Sequence, residues 1–304
     1  MILVAGGTGT LGSRLVRRLL DRGLSVRVLT RDARRVADDL RDGLDVVEGD
    51  VRDRAAVARA MPGVETVVSA VHGLVGTGGA SPASVDRDGN VNLIDAAAAG
   101  GAAVVLVSVM GASPDSPLEL SRMKYAAEEH LRGSGTPWTI VRAPAYLETY
   151  IRLFEQTAAR SGRPLVFGRG DNPINFVSAD DVAALVEHTV SDRWGRGSVR
   201  EIRGPECLTL NQLAEALQKA AGRAGRPRHV PRPMLRVMAI GMKSFRPEMA
   251  RLAQMALMMD TADMTVAAGP IQATDIQPPA RSLAELLASH VTILSGESRL
   301  KPTR

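Results

Sequence analysis

The sequence predicts an α/β protein built on a doubly wound parallel sheet, with a smaller, mostly helical C-terminal lobe. Three observations predict it. Apolar, β-branched runs alternate with helical patterns through the first 142 residues, a glycine-rich turn joins the first run to the first helix, and the regular alternation stops after Arg142.

The strand segments are Ile2 to Ala5, Ser25 to Thr30, Asp45 to Glu48, Thr66 to Ala70, Ala103 to Ser108 and Trp138 to Arg142. Val104-Val105-Leu106-Val107 is apolar on both faces, as a parallel strand covered by helices on both sides requires. The helical segments between them are Leu11 to Arg22, Ala33 to Arg41, Arg54 to Ala60, Val85 to Ala99 and Leu118 to Gly133. Beyond Arg142 a helix is expected over Tyr146 to Arg160, short strands at Pro164 to Phe167 and Ile174 to Val177, and a further helix over Leu210 to Ala221. Ser178-Ala179-Asp180-Asp181 reads as a helix start with an acidic first turn, leading into Val182 to Val190. Residues 234 to 264 hold eight of the 12 methionines, and Met234, Met238 and Met242 recur every four residues. That face is either core filling or one wall of an adaptable pocket.

Composition excludes several classes. With 304 residues, 45% apolar and 23% charged, the chain has enough apolar material for a packed core and is not a disordered chain. One cysteine, Cys207, excludes an internal disulfide and a Cys-rich zinc module. The histidines His72, His130, His188, His229 and His290 are scattered, so no metal site is expected. No apolar run approaches the roughly 18 residues of a membrane span. The chain enters a strand at once, without a charged leader or cleavage site, so a cytoplasmic protein with no membrane contact is expected.

The net charge of +5 comes from 38 basic residues, all arginine except Lys124, Lys219, Lys243 and Lys301. The densest basic stretch, Arg223, Arg226, Arg228, Arg232 and Arg236, has no aromatic residues interleaved. It reads as a solvated loop rather than a nucleic-acid surface. Arg169-Gly170-Asp171 reads as a turn. The expected partner is a small-molecule substrate, and a homodimer is left open.

Gly6-Gly7-Thr8-Gly9-Thr10-Leu11-Gly12 follows the first strand and opens the first helix, with Gly6, Gly9 and Gly12 three apart. A tight turn there, close backbone approach to a diphosphate and helix N–H groups facing the anion all call for glycine. The second strand ends in Thr30-Arg31-Asp32-Ala33-Arg34-Arg35. Arg31, Arg34 and Arg35 suit a 2′-phosphate, favouring NADP(H) over NAD(H), while Asp32 in a shifted register could accept from a ribose hydroxyl instead.

The glycine turn, Thr30-Arg31, Glu48-Gly49-Asp50 with Asp53, and Val67-Val68-Ser69-Ala70 together resemble the short-chain dehydrogenase/reductase superfamily. Lys124-Tyr125-Ala126-Ala127-Glu128, the run from Gly135 to Pro144, and Asn175 to Val182 resemble its atypical NmrA-like and isoflavone-reductase-like branch. The resemblance implies a Rossmann domain binding NADP over 1–142. Read from the chain itself, a substrate-binding lobe is expected over 143–295, interleaved with that domain, with a loose tail over 296–304. The resemblance assigns Asp50 and Val51 to the adenine, and Ser69, Ala70 and Val71 to the nicotinamide ribose. Tyr146 and Met110 fall on the substrate side.

Superfamily enzymes carry a Tyr four residues before a Lys, plus a Ser at the end of the fifth strand. Here Ser108 and Lys124 are present, but Leu120 stands where the Tyr belongs. Tyr125 points about 100° away on the helix. Lys124 is therefore expected to bind the ribose and to act as an acid or hold a water, unless it merely pairs with Glu128 one turn on. His72, after the fourth strand, is either a proton donor near the nicotinamide or a loop histidine without a role. Gly73 to Ser81 is either a flap over the site or a slack loop. The function expected is an NADPH-dependent reductase passing hydride to a quinone, enone, imine or similar conjugated acceptor. The alternative is a non-catalytic NADP(H)-binding sensor of NmrA-like type, with a purely structural cofactor as a third reading.

Overall fold

The structure, a computed structural model, describes residues 1–76, 78–191, 197–223, 225–265 and 280–288. The expected tail at 296–304 and the end of the C-terminal lobe from 289 lie outside them.

The chain opens with β1 (Ile2–Ala5), α1 (Thr10–Asp21) and β2 (Val26–Thr30), followed by two 3₁₀ turns at Ala33–Arg35 and Asp38–Gly43. The single helix expected over Ala33 to Arg41 does not form. Only Val36 and Leu40 are buried along it, too little apolar surface to hold a long helix on the sheet. Then come β3 (Leu44–Glu48), α2 (Arg54–Ala60) and β4 (Thr66–Ser69). The next helix starts earlier than its apolar pattern suggests. Ser81 caps it in a reciprocal box with Ser84, and Pro82–Gly89 winds as a π-helix before α3 (Asn90–Gly100) continues it. β5 (Ala103–Val109), α4 (Glu119–Gly133) and β6 (Trp138–Ala143) follow.

The chain then runs through β7 (Ala145–Tyr146), α5 (Leu147–Ser161), β8 (Leu165–Phe167) and β9 (Ile174–Val177), and on through α6 (Ala179–Ser191) and β10 (Ser198–Glu201). It ends its described course with β11 (Cys207–Leu208), α7 (Leu210–Ala220), β12 (Arg228–Val230), α8 (Arg232–Gly241) and α9 (Pro247–Met259), plus a helical stretch at 283–288.

Two compact units result. The first takes Met1–Pro144 and Ala179–Ile202. Its sheet has seven strands in the order β10-β6-β5-β4-β1-β2-β3, every neighbouring pair parallel. This is the Rossmann arrangement, whose strand order reverses between β1 and β4. The sheet's buried side chains include Leu3, Val67, Leu106 and Ile140, packed with Leu93, Ile94 and Leu131 from α3 and α4. β10 joins as a seventh strand, Ser198-Val199-Arg200-Glu201, too polar to read as a buried strand. α6 lies against α1, tied by ion pairs from Arg14 to Asp180 and from Arg18 to Glu187.

The second unit takes Ala145–Ser178 and the described residues of 203–265 and 280–288. It holds a three-stranded sheet, β11-β9-β7, and a parallel pair, β12-β8. Its core gathers Leu147, Ile151, Phe154, Phe176, Leu213 and Leu217, with Tyr150 edge-on to Phe176 at 5.3 Å. Buried Asp260 ties it together further, accepting from the Arg169 and Gly170 amides and pairing with Arg232.

Candidate functional site

At the strand reversal, the turn after β1 is fixed by sterics. Gly6 has φ +84°, and a Cβ on it would lie 2.7 Å from the Ala70 carbonyl oxygen at the end of β4. A Cβ on Gly12 would lie 2.1 Å from the Gly6 carbonyl oxygen, and one on Gly7 2.8 Å from Val28. The turn therefore presses on β4, on β2 and on its own helix at once. Gly9 is the N-cap of α1 and brings no side-chain cap, and the first turn carries no acidic residue. The positive end of α1, at Thr10 and Leu11, is thus arranged for an anion, with Thr8 beside it.

At the end of β2, Asp32 is already used. Its carboxylate caps the 3₁₀ turn through the Arg34 amide and grips the Arg34 guanidinium at 2.9 Å and 3.1 Å. Those contacts hold its carboxyl below the usual range. Arg31 and Arg35 are exposed, and among the described residues neither has a carboxylate within ion-pair distance. Asp50, next along the edge, is held by Arg52 at 2.7 Å, which lowers its carboxyl, and Arg31 adds a weaker lowering field. Val51 is buried, its carbonyl accepting from Asn92 at 2.9 Å.

Behind this edge lies a buried polar cluster. Lys124 is 3% exposed. Its Nζ donates to the carbonyls of Val71 at 2.8 Å and Val107 at 3.0 Å, and pairs with Asp86 Oδ1 at 3.2 Å. The lysine therefore stitches the end of β5 to the chain leaving β4. Asp86 comes from the π-helix and is fully buried. Its Oδ2 accepts from the Gly73 amide at 2.8 Å, while Oδ1 has no hydrogen-bond partner among the described residues. Asn90, one turn on, donates to the Asp86 carbonyl and accepts from the Ser69 hydroxyl.

His72 sits beside this cluster. Its side chain reaches solvent, yet it is crowded by protein, and that desolvation holds the imidazole below its ordinary value. Asp86 opposes the shift and Lys124 adds to it. Its Nδ1 accepts from the Leu74 amide at 3.2 Å, so a neutral ring carries its proton on Nε2. The glycine stretch after it is not slack at its ends. A Cβ on Gly73 would lie 2.4 Å from the Ser81 carbonyl oxygen, and one on Gly76 2.4 Å from the Ala80 Cβ.

Ser108 is elsewhere engaged. It donates to Glu128 Oε1 at 2.5 Å, and the same carboxylate takes Arg142 at 2.6 Å and 3.1 Å and Arg132 at 3.3 Å. The Lys124–Glu128 pair allowed by their spacing does not form: Glu128 belongs to Arg142, and Lys124 to Asp86. Leu120 is buried on the Lys124 face of α4. Met110 follows β5 half-buried, its amide donating to the Ala143 carbonyl. Tyr146 lies in the second unit at the start of α5, its phenol raised by burial.

Comparison with known proteins agrees with this geometry. A family profile described as NAD(P)H-binding matches residues 6–193, from the phosphate turn to the end of α6. The chain belongs to this family. It is 30% identical over 224 residues to an NAD(P)H azoreductase of Xenophilus azovorans, covering 73% of this chain and 74% of that one. It is 33% identical over 225 residues to an (4-alkanoyl-5-oxo-2,5-dihydrofuran-3-yl)methyl phosphate reductase of Streptomyces griseus, covering 73% and 74%. The solved NADPH complex of an NADPH-dependent quinone oxidoreductase from Escherichia coli superposes with a TM-score of 0.74 at 25% identity, over 95% of this chain and 99% of that one. The protein is an NAD(P)H-binding oxidoreductase of the atypical short-chain class.

In this NAD(P)H-binding protein the first unit gathers the glycine turn, Arg31, Asp50, Ser69 to Val71, His72 and Lys124 at the carboxyl edge of one sheet. Asp86 and Asn90 were not legible as site residues. Nothing in the sequence singles them out, because Ser84, Arg87, Asp88 and Asn92 surround them with other polar side chains. Among the described residues no helix is long and apolar enough to cross a membrane.

Proposed function

We propose that the protein is an NADPH-dependent reductase whose acceptor is a conjugated, electrophilic small molecule of the quinone, enone, imine or azo kind. The observation that carries the acceptor class is Leu120, buried where a ketone reductase keeps its proton-donating Tyr. A conjugated acceptor spreads the incoming negative charge over several atoms and does not need an acid of that strength at one carbonyl. The relatives named as an azoreductase and a quinone oxidoreductase support the same class.

The residues fit the dinucleotide. The Gly6, Gly7 and Gly12 contacts leave no room for Cβ atoms, as a turn wrapped against a diphosphate requires. Gly6 to Gly12, with Thr8, Thr10 and Leu11, would hold the diphosphate. Arg31 and Arg35 would take the 2′-phosphate, because Arg34 is neutralised by Asp32. Asp50 and Val51 would flank the adenine, and Ser69, Ala70 and Val71 the nicotinamide ribose. When bound, NADPH supplies the hydride.

Lys124 acts in this reading as a positioning residue, since two carbonyls and Asp86 already engage its ammonium. Ser108, committed to Glu128, carries no proton to the acceptor. His72 is the proton donor, its Nε2–H free of the Leu74 contact at Nδ1. Met110 forms part of the acceptor wall.

The test is cofactor oxidation over a panel of quinones, enones, imines and azo dyes, with NADPH and NADH compared. NADPH turnover with at least one conjugated acceptor is expected, its kcat lowered about tenfold or more in His72→Gln. NADPH binding without oxidation by any member of the panel would sink the reading.

A further inference from the structure

α8 is apolar on two opposite sides. Leu235 and Ala239 face inward with Ala253 of α9. Met234, Val237 and Ile240 face outward, 57%, 71% and 72% exposed, and Phe245 in the turn before α9 is 70% exposed. These are four of the six large apolar side chains exposed among the described residues, and they fall within twelve positions. Apolar side chains exposed singly are ordinary, but a cluster like this marks an interaction surface. Within the methionine stripe, Met234 therefore fills no core, whereas Met238 packs against the cluster of Leu235, Ala239 and Ala253.

The segment that carries this face holds charge of one sign. From Lys219 to Arg246 the chain carries Lys219, Arg223, Arg226, Arg228, Arg232, Arg236, Lys243 and Arg246 and no Asp or Glu. Arg232 is taken by Asp260. Arg236, Lys243 and Arg246 are exposed, with no carboxylate within ion-pair distance among the described residues.

We propose that α8 and Phe245 seat the protein on an anionic lipid surface. An amphipathic helix with exposed apolar side chains and a basic flank gains from both apolar insertion and headgroup attraction. A second copy of the chain meeting this face would set Arg236, Lys243 and Arg246 against the same cations of its partner. Nucleic acid would leave Met234, Val237 and Ile240 without a partner, and among the described residues Phe245 is the only aromatic side chain on this face exposed for stacking. The absence of a spanning helix does not bear on this, because an interfacial helix lies in the surface plane. The proposal stands on this face alone and goes beyond the acceptor reading. Its consequence is that the protein would work where lipid-soluble acceptors collect.

The test is cosedimentation of the full chain with neutral phosphatidylcholine vesicles and with vesicles also containing phosphatidylglycerol, at low and high salt. Binding to the anionic vesicles is expected, about tenfold or more over the neutral ones, and weakened by salt. Val237→Glu with Ile240→Glu, and separately Arg236→Glu with Lys243→Glu, should each reduce it about tenfold. Melting curves and NADPH binding serve to show that both variants remain folded. Absence of binding to either vesicle overturns the proposal, as does binding that neither folded variant weakens. Capture of an oligonucleotide duplex without vesicle binding overturns it in favour of nucleic acid.

Discussion

Two fully buried carboxylates, Asp86 and Glu128, lie in the same unit and behave differently. Glu128 is saturated: Ser108, Arg142 and Arg132 occupy both oxygens, and its hydrogen bonds to Arg142 raise that guanidinium. Asp86 keeps one oxygen without a hydrogen bond, 3.2 Å from Lys124 and acting on His72. Saturation is what a structural ion pair needs, because unpaired buried charge is costly. Spare capacity beside an accessible histidine is what a working site tolerates. The contrast separates scaffold from site without reference to any ligand.

The largest expected effect tests the scaffold half. Glu128→Ala should destabilise the protein by about 3–5 kcal/mol, because it strands Arg142 and Ser108. Urea unfolding measures it. A loss under about 1 kcal/mol would mean that the pair is solvated and the contrast false. Asp86→Asn should cost less stability, about 2–3 kcal/mol, since its amide can still accept from Gly73 while Lys124 loses its counter-charge. Its turnover, measured well below the melting point, should fall about tenfold or more, while Glu128→Gln stays within about threefold. Equal turnover losses in the two variants would erase the distinction.

Strands in both units were legible because they are short apolar runs, so β1 and β9 fall on the residues expected. The phosphate turn was legible because Gly9 and Gly12 answer to contacts within the turn itself, although Gly6 answers to Ala70 and Gly7 to Val28. Asp86 was not, because its meaning lies in Lys124, 38 residues later, and in the π-winding that sets its direction. Ser108 and Glu128 misled for the same reason. Spacing offered Glu128 to Lys124, but Arg142, at the end of the neighbouring strand, reaches it first. Exposure of Val237 and Ile240 was equally hidden, since a helix apolar on two sides reads in sequence as simply buried.

The contrast extends to arginine. Arg34 is paired with Asp32, whereas Arg31 has no carboxylate within ion-pair distance among the described residues. Arg31→Ala should therefore weaken NADPH binding about tenfold and leave NADH nearly unchanged, while Arg34→Ala should move either less than about threefold. Titration of cofactor fluorescence measures both. An equal loss for NADPH and NADH in Arg31→Ala would assign that residue to general electrostatics rather than to the 2′-phosphate.

The smallest effect is a pH dependence. Burial lowers the His72 pKa in the folded protein relative to its ordinary 6.5 in the unfolded chain. Below 6.5 the unfolded chain then binds more protons, so the histidine's contribution to stability is full above that value. It is lost as the pH falls toward the folded pKa. Wild-type protein should accordingly lose more urea resistance between neutral and mildly acid pH than His72→Gln does. Asp86 raises the histidine's pKa, so Asp86→Asn should deepen the depression and enlarge the wild-type slope rather than flatten it. An unchanged slope in Asp86→Asn would show that Asp86 does not act on His72, and the site half of the contrast would then rest on Lys124 alone.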